Sequence, residues 1–170
     1  MEVRCVRADE WELMKRIRDD AFHDPSAVMA FSGPQDLVTD SVWQVRAEMN
    51  SETSLHCHQY VGVVDGKFVG TATVVYQETT GGVKAAKVSA VYVSPEWRGS
   101  GLVGQLLDAA ALWAERYHRC GLVLVVREEN SRAVAAYRKH GFRETGRKYR
   151  TVEGVEVEMV RPRGVRRQPQ

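Results

Sequence analysis

The segment from residue 98 to residue 104 has the composition of an anion-binding loop, because Gly99, Gly101 and Gly104 stand just ahead of an amphipathic stretch. Glycine adopts positive φ angles and has no Cβ, so successive backbone N–H groups can converge on one anion at a helix N-terminus. A phosphate group is the expected ligand. A tight turn into a helix would need the same glycines, so the flanking elements must decide between the two interpretations.

The spacing of these glycines matches a dinucleotide-binding fingerprint, and an acid, Glu128, follows the next predicted strand. In that fold the strand runs almost directly into the first glycine, and further parallel strand–helix units follow. Here Pro95 ends the strand early, and only one more helix precedes a pair of antiparallel strands. A dinucleotide site is therefore disfavoured. A Walker A loop is excluded because no Gly-Lys-Ser/Thr follows the glycines.

The elements that position this loop follow from alternating apolar residues and turn signals. They predict strands over residues 2–6, 59–64, 68–76, 83–93, 122–126, 142–149 and 155–160. Asp65-Gly66 and Glu153-Gly154 supply tight hairpin turns, and a long helix between the fourth and fifth strands makes those two parallel. We predict an α/β (α+β) fold with one domain over residues 1–161. Its sheet is mixed and mostly antiparallel, with about four helices and one βαβ crossover that carries the glycine-rich loop.

Four amphipathic stretches predict the helices. The first has Asp9 as its N-cap, the second covers residues 39–49, the third ends at Cys120 with Gly121 as the C′ residue, and the fourth is capped by Asn130. Each has apolar residues at helical spacing, which we expect to face the core. These residues are Trp11, Met14, Ile17, Ala21 and Phe22; Val42, Val45 and Met49; Leu102, Leu106, Ala110, Trp113 and Tyr117; and Ala133, Val134 and Tyr137.

Composition narrows the class of protein. The chain of 170 residues has a formal charge of +2, and its only basic cluster lies in the segment 162–170, which we expect to be a disordered tail. A nucleic-acid partner is not expected, and no apolar run is long enough to span a membrane. Three scattered cysteines argue against a disulfide framework and favour the cytoplasm. No metal site is expected, since the neighbours His56, Cys57 and His58 point apart and lack further ligands.

Two separated motifs then point to one family. The stretch Val91-Tyr-Val-Ser-Pro-Glu-Trp-Arg98-Gly-Ser-Gly101 contains Arg, two residues and Gly, and the later stretch contains Asn130, Ala133, Tyr137 and Gly141-Phe142 in order. Both resemble motifs of the GNAT superfamily of acetyl-CoA-dependent N-acetyltransferases, and the order of elements agrees over nearly the whole chain. One position departs, because Val103 stands where the family usually has Gly or Ala.

The resemblance implies that backbone N–H groups of the glycine-rich loop hold the pyrophosphate of acetyl-CoA. It also implies that the pantetheine lies along the preceding strand like an added strand, near Asn130, with an N–H close to Val91 stabilising the oxyanion. Tyr137 would be the general acid that protonates the departing thiolate. The implied cofactor-binding residues are Val91, Tyr92, Val93, Arg98, Gly99, Ser100, Gly101, Leu102, Val103, Gly104, Asn130 and Tyr137.

The general base is the least defined part of the predicted site. A primary amine must lose a proton before it attacks, and a carboxylate often accepts that proton. Many members of the family have a glutamate where this chain has Ser89. Glu78, Glu128 and Glu129 lie near the predicted cleft, with Glu129 kept as a candidate. The cysteines are not expected to be nucleophiles, because direct attack needs no acyl-enzyme.

The sequence leaves the acceptor open. A small amine is the preferred acceptor, a protein amine is an alternative, and the segments 24–40 and 145–158 are expected to shape the choice. Ser89 also keeps a catalytically silent acyl-CoA-binding or regulatory module as an alternative. Members of the family often form dimers, so the resemblance is compatible with a homodimer.

Overall fold

A computed structural model describes residues 1–27, 38–78 and 84–164 of the chain, and of Glu78 only the backbone. The first residue of the strand predicted over 83–93, most of the segment 24–40 and the end of the predicted tail lie outside these residues. The strands are β1 (Glu2–Cys5), β2 (Cys57–Val64), β3 (Lys67–Glu78), β4 (Lys84–Val93), β5 (Leu122–Arg127), β6 (Arg143–Thr151) and β7 (Gly154–Arg161). The helices are α1 (Trp11–His23), α2 (Asp40–Asn50), α3 (Leu102–Trp113) and α4 (Ser131–Lys139).

The predicted fold class is confirmed. The described strands form one mixed sheet in the order β1-β2-β3-β4-β5-β7-β6, in which only β4 and β5 are parallel. Asp65 and Gly66 both have positive φ, as the predicted hairpin turn requires. Helices α1 and α2 pack against one face of the sheet around Val61 and Tyr92, while α3 and α4 cover the other face.

The predicted start of α1 is wrong. Glu10, rather than Asp9, occupies the N-cap position, and no side chain caps the helix there. The Glu10 carboxylate accepts a hydrogen bond from the Arg7 backbone N–H at 2.9 Å and pairs with Arg4 on β1. An ion pair with the sheet has therefore replaced the local capping box that the spacing suggested.

The apolar stripe predicted for α2 does not face the core. Val42, Val45 and Met49 are 41%, 53% and 62% exposed, whereas Trp43 and Ala47 are buried against α1 and the sheet. The helix is rotated so that its largest aromatic side chain is removed from water, since burying that ring removes more apolar surface than burying the valines.

The end of the crossover helix also differs from the prediction. After Trp113 the chain widens into one π-helical turn, Ala114–His118, and Arg119 takes the left-handed φ that was assigned to Gly121. The turn leaves Tyr117 exposed and places the His118 ring on that of Tyr76, with centroids 4.0 Å apart. Gly121 is needed for space, because a Cβ there would lie 2.5 Å from the Arg161 carbonyl oxygen.

Candidate active site

A cleft opens in the sheet where β4 and β5 separate. The two strands pair only at Ala86 with Leu122 and Lys87 with Val123, although β4 continues to Val93 and β5 to Arg127. Their facing edges beyond these pairs are not hydrogen-bonded to each other. A cavity of about 520 Å³ lies along both edges and reaches the glycine-rich loop and α4. Its size is that of a small-molecule or cofactor site.

A β-bulge reshapes β4 inside this cleft. Thr73 pairs with Ser89 and Thr71 with Tyr92, so Ala90 and Val91 together lie opposite Ala72. Ala90 has a φ of 51°, a left-handed value that is uncommon for a residue other than glycine. Bulges interrupt the hydrogen-bond ladder and often occur beside active sites. No glycine marks this bulge, so sequence patterns did not predict it.

The glycine-rich loop presents free backbone N–H groups at the start of α3. Gly99 and Gly101 have φ values of 81° and 84°. The N–H groups of Arg98 and Ser100 donate to the carbonyls of Pro95 and Trp97, so they are occupied. Among the described residues, no backbone acceptor outside the helix pairs with the N–H groups of Gly99, Gly101, Val103 and Gly104. These four groups remain available to an anion.

The side chains of Ser100 and Val103 make contacts within the protein that leave the free N–H groups of the loop uncovered. The Ser100 hydroxyl donates to the Trp97 carbonyl at 2.7 Å and accepts from the Leu102 N–H at 3.3 Å. Val103 is partly buried and packs against the core, so its branched side chain leaves its own N–H uncovered. The departure from the family pattern at Val103 is therefore compatible with an anion bound at the helix start.

The start of α3 is held in place by close packing on the sheet. Leu102 is buried against Gly62 of β2 and Gly70 of β3, where an added Cβ would lie 2.7 Å from its side chain. These glycines let the helix N-terminus approach the backbone of the strands. The position of the free N–H groups is therefore fixed by the core rather than by the loop alone.

Arg98 joins the loop to the end of α1. Its guanidinium forms an ion pair with Asp24, whose side chain is only 9% exposed, and its Nε donates to the Val93 carbonyl at 3.1 Å. Burial opposes ionisation of Asp24, but hydrogen bonds from Ser26 and Arg98 outweigh it and hold the pKa of the carboxyl below its usual value. The Arg98 side chain, which the resemblance assigned to cofactor binding, therefore anchors the loop to the end of α1 and to β4.

Replacing Asp24 with asparagine should loosen this anchor and weaken acetyl-CoA binding by about tenfold, which equals about 1.4 kcal/mol. Isothermal titration with acetyl-CoA measures the change. Asp40→Asn is the matched control, because the pair between Asp40 and Lys15 is exposed at 2.8 Å and lies away from the cavity. Equal affinity for Asp24→Asn and the unaltered protein would show that the anchor does not position the loop.

The far wall of the cavity comes from α4. Asn130 caps this helix by accepting a hydrogen bond from the Ala133 N–H at 3.1 Å, so its amide NH₂ is the group left for a ligand. Tyr137 lines the cavity about two helical turns after Asn130, with its ring 5.7 Å from that of Phe142. Burial raises the pKa of Tyr137 to about 12, which keeps its hydroxyl protonated at neutral pH.

Sequence comparison decides the family. The model of the acetyltransferase (GNAT) family matches residues 12–142, which include both motifs and every wall of the cleft described above. The chain belongs to the GNAT acetyltransferase family. No curated protein sequence matches it significantly.

Solved structures agree on the GNAT fold. A putative acetyltransferase from Salmonella typhimurium, yncA, with its cofactor acetyl-CoA, has 20% identity and a TM-score of 0.76, over 100% of this chain and 98% of its own. A GNAT acetyltransferase from Streptococcus pneumoniae has 19% identity and a TM-score of 0.74, over 96% and 99%. A phosphinothricin acetyltransferase from Sinorhizobium meliloti in complex with acetyl-CoA has 19% and 0.74, over 96% and 88%.

The structure shows which of the residues considered for the general base lie at the cavity. Ser89 lines the cavity and is exposed to it. Glu129 is not among the described residues that line the cavity, and its carboxylate lies 3.3 Å from Arg127 Nε. Glu128 pairs with Lys148 at 2.5 Å, and the side chain of Glu78 lies outside the described part of the chain.

Two carboxylates that sequence reasoning missed line the same cavity, Glu153 and Glu156. Glu156 alternates with Val155 and Val157 on β7, a pattern that indicates only a strand with one solvent-facing side. Its position in the cleft follows from the pairing of β7 with β5, which places it opposite Arg127. The alternation was the only available signal, and it could not identify the neighbouring strand.

The cysteines have the properties of structural residues. Cys57 donates to the Asn50 side-chain oxygen at 2.8 Å, and Cys5 to the Asn50 carbonyl at 3.4 Å. Burial raises the pKa of Cys57 to about 11 and of Cys5 to about 12. Within the described residues, no group of three or more His, Cys, Asp and Glu side chains is arranged to hold a metal ion. No described helix is long and apolar enough to cross a membrane.

We expect these thiols to react slowly in the native protein. Only the thiolate is nucleophilic, and a raised pKa keeps Cys5 and Cys57 protonated at pH values near 8, so labelling should be on the order of 10²-fold slower than in the unfolded chain. Labelling with a chromogenic disulfide in buffer and in denaturant measures the ratio. Fast labelling of either residue in buffer would show that its thiol is accessible and ionised.

Proposed function

We propose that this protein transfers an acetyl group from acetyl-CoA to a primary amine by direct attack in a ternary complex. One observation carries the proposal: the split between β4 and β5 and the free N–H groups at the start of α3 belong to one cavity. An unpaired strand edge suits the amides of a pantetheine arm, and a helix N-terminus suits a pyrophosphate. The acetyl-CoA in the structures of two GNAT neighbours supports this assignment.

In this proposal the N–H groups of Gly99, Gly101, Val103 and Gly104 bind the pyrophosphate, aided by the positive end of the α3 dipole. The pantetheine adds to the free edge of β4 between Val88 and Val93. That alignment places the thioester beside the bulge, where the Val91 N–H stabilises the oxyanion that forms as the amine attacks. Tyr137 then donates a proton to the departing CoA thiolate.

A non-catalytic acyl-CoA-binding module is the second candidate. The observation that favours it is Ser89, a residue that cannot act as a carboxylate base, together with the engagement of Glu129 by Arg127. Both candidates predict saturable acetyl-CoA binding. Only the enzyme predicts release of free CoA when an amine is added.

The test is a titration with acetyl-CoA followed by a thiol-release assay with a panel of small amines and of lysine-containing peptides. We expect binding and amine-dependent CoA release, with small amines preferred. Binding without release for every amine would favour the non-catalytic module. No interaction with acetyl-CoA, CoA or a longer acyl-CoA would refute both candidates.

A further inference from the structure

In the part of the chain that the structure describes, one side of the cleft is open and charged. On β5, Leu122, Leu124 and Val126 are buried beneath α3 and α4, so the alternate side chains up to Arg127 face the opposite side of the sheet. Glu156 faces the same side as its pairing partner Arg127. On β4, Val88 is buried toward α3, so Lys87 also faces this open side. Lys87 and Glu156 both line the cavity, from strands on either side of the split.

Glu156 differs from the other acids around it. Glu158, two residues on, accepts hydrogen bonds from Tyr149 at 2.8 Å and Thr145 at 2.9 Å. The Glu153 carbonyl accepts from Arg127, and its carboxylate lies 3.7 Å from the same guanidinium. Within the described part of the chain, the partly buried carboxylate of Glu156 has no hydrogen-bond or ion-pair partner. It is therefore available to a cation inside the cavity.

Lys87 is the complementary group. It is partly buried in the cavity wall, and it forms no ion pair with any described residue, including Glu156. By register it lies level with Val123, whereas Glu156 lies level with Arg127. Four residues along the strand correspond to roughly 13 Å between these two levels, so a guest that contacts both charged groups must span several bonds.

We propose that the acceptor is an amine that also carries an anionic group several bonds away, with its ammonium at Glu156 and its anion at Lys87. This inference rests on the proposed acetyl transfer and names the acceptor class and the base for it. On this side of the cleft Lys87 and Glu156 are opposite charges without an ion-pair partner among the described residues, and a guest with the reverse charge pattern compensates both together. A monoamine without an anionic group would leave the charge of Lys87 uncompensated. A diamine would place a second cation beside Lys87.

The proposal also completes the proton balance. The bound ammonium gives one proton to the Glu156 carboxylate, and the neutral amine nitrogen forms a bond to the thioester carbon. When the C–S bond breaks, the Tyr137 hydroxyl gives its proton to the leaving thiolate, and the second proton lost by the nitrogen restores that hydroxyl. The products are the N-acetylated acceptor and CoA thiol, with the proton on Glu156 released to solvent.

The test compares ω-amino acids with their carboxamides, which keep the amine but lack the negative charge. The acids are γ-aminobutyrate, δ-aminovalerate and ε-aminocaproate. Glycine is added as the case in which the amine and the carboxylate share one carbon. We expect the carboxylates to have a kcat/KM at least about tenfold above their carboxamides and above glycine, a difference of about 1.4 kcal/mol. Lys87→Met should remove that preference mainly through KM. Glu156→Gln should lower kcat about 10²-fold for all acceptors, as loss of a general base does.

Matched controls lie on the same strands. Lys84→Met on β4 and Glu158→Gln on β7 change charge outside the cavity lining and should leave the acceptor preference unchanged. Acetyl-CoA affinity within twofold of the unaltered protein verifies that each variant is folded. Carboxamides preferred by the unaltered protein, or a preference that survives Lys87→Met, would overturn the acceptor class. Unchanged kcat in Glu156→Gln would overturn the base. Acetyl-CoA binding with no turnover of any amine would instead refute the proposed function.

Discussion

Gly101→Val should lower the affinity for acetyl-CoA by about 10²-fold, which equals about 2.7 kcal/mol. Gly101 has a φ of 84°, and its N–H is one of the four free groups at the start of α3. A branched side chain is strained at this φ and shifts the backbone that presents the N–H groups. Hydrogen bonds to a charged group contribute about 1.5–3 kcal/mol each, so losing one or two accounts for the effect.

Gly146→Val is the control that separates backbone strain from lost binding. Gly146 on β6 has the same φ of 84° and, like Gly101, has no atom within 4 Å of an added Cβ, but it lies outside the cavity lining. Both variants should therefore lose similar thermal stability, whereas only Gly101→Val should lose affinity in a calorimetric titration. Equal affinity for the two variants would show that the loop does not bind the cofactor.

Tyr137→Phe should lower kcat by on the order of 10²-fold, the contribution expected of a general acid. The hydroxyl is its only loss, so the packing of the ring against Phe142 and the affinity for acetyl-CoA should change little. Rates of CoA release at saturating acetyl-CoA, measured with the same acceptor for both proteins, give the ratio.

Tyr117→Phe provides the comparison for that experiment. Tyr117 is 54% exposed on the π-helical turn and does not line the cavity. Its substitution should leave both kcat and affinity unchanged. Turnover of Tyr137→Phe equal to that of Tyr117→Phe would reduce Tyr137 to a packing residue of α4.

The expected effects distribute the reaction over three parts of the chain. In the proposed mechanism the glycine-rich loop binds the pyrophosphate through backbone groups, Tyr137 on α4 supplies a protonated hydroxyl, and Lys87 on β4 and Glu156 on β7 supply the charges that hold the acceptor. The Arg98–Asp24 ion pair connects the first of these parts to α1. Losses in acetyl-CoA affinity and losses in turnover should therefore arise from different substitutions.

The sequence was sufficient for the elements that local chemistry fixes. Three such features depend on residues within a few positions of each other. They are the turn at Asp65-Gly66, the positive φ angles of Gly99 and Gly101, and the helix cap at Asn130. The parallel pairing of β4 and β5 also followed, because a long crossover helix leaves no other arrangement. The same local reasoning failed at Asp9, at Val42 on α2 and at Gly121. In these places the Glu10–Arg4 ion pair, the burial of Trp43 and a π-helical turn that ends at Arg119 decided the structure.

The candidate site shows the same division. Sequence alone placed the glycine-rich loop before α3 and Tyr137 on α4, since both lie in motifs of short span. Only the tertiary structure decided that β4 and β5 part after Lys87, that Ala90 forms a bulge, and that β7 pairs with β5 so that Glu156 enters the cleft. These features depend on which strands become neighbours and in what register. Such contacts join residues far apart in the chain, and the local sequence of a strand does not specify which strand it pairs with.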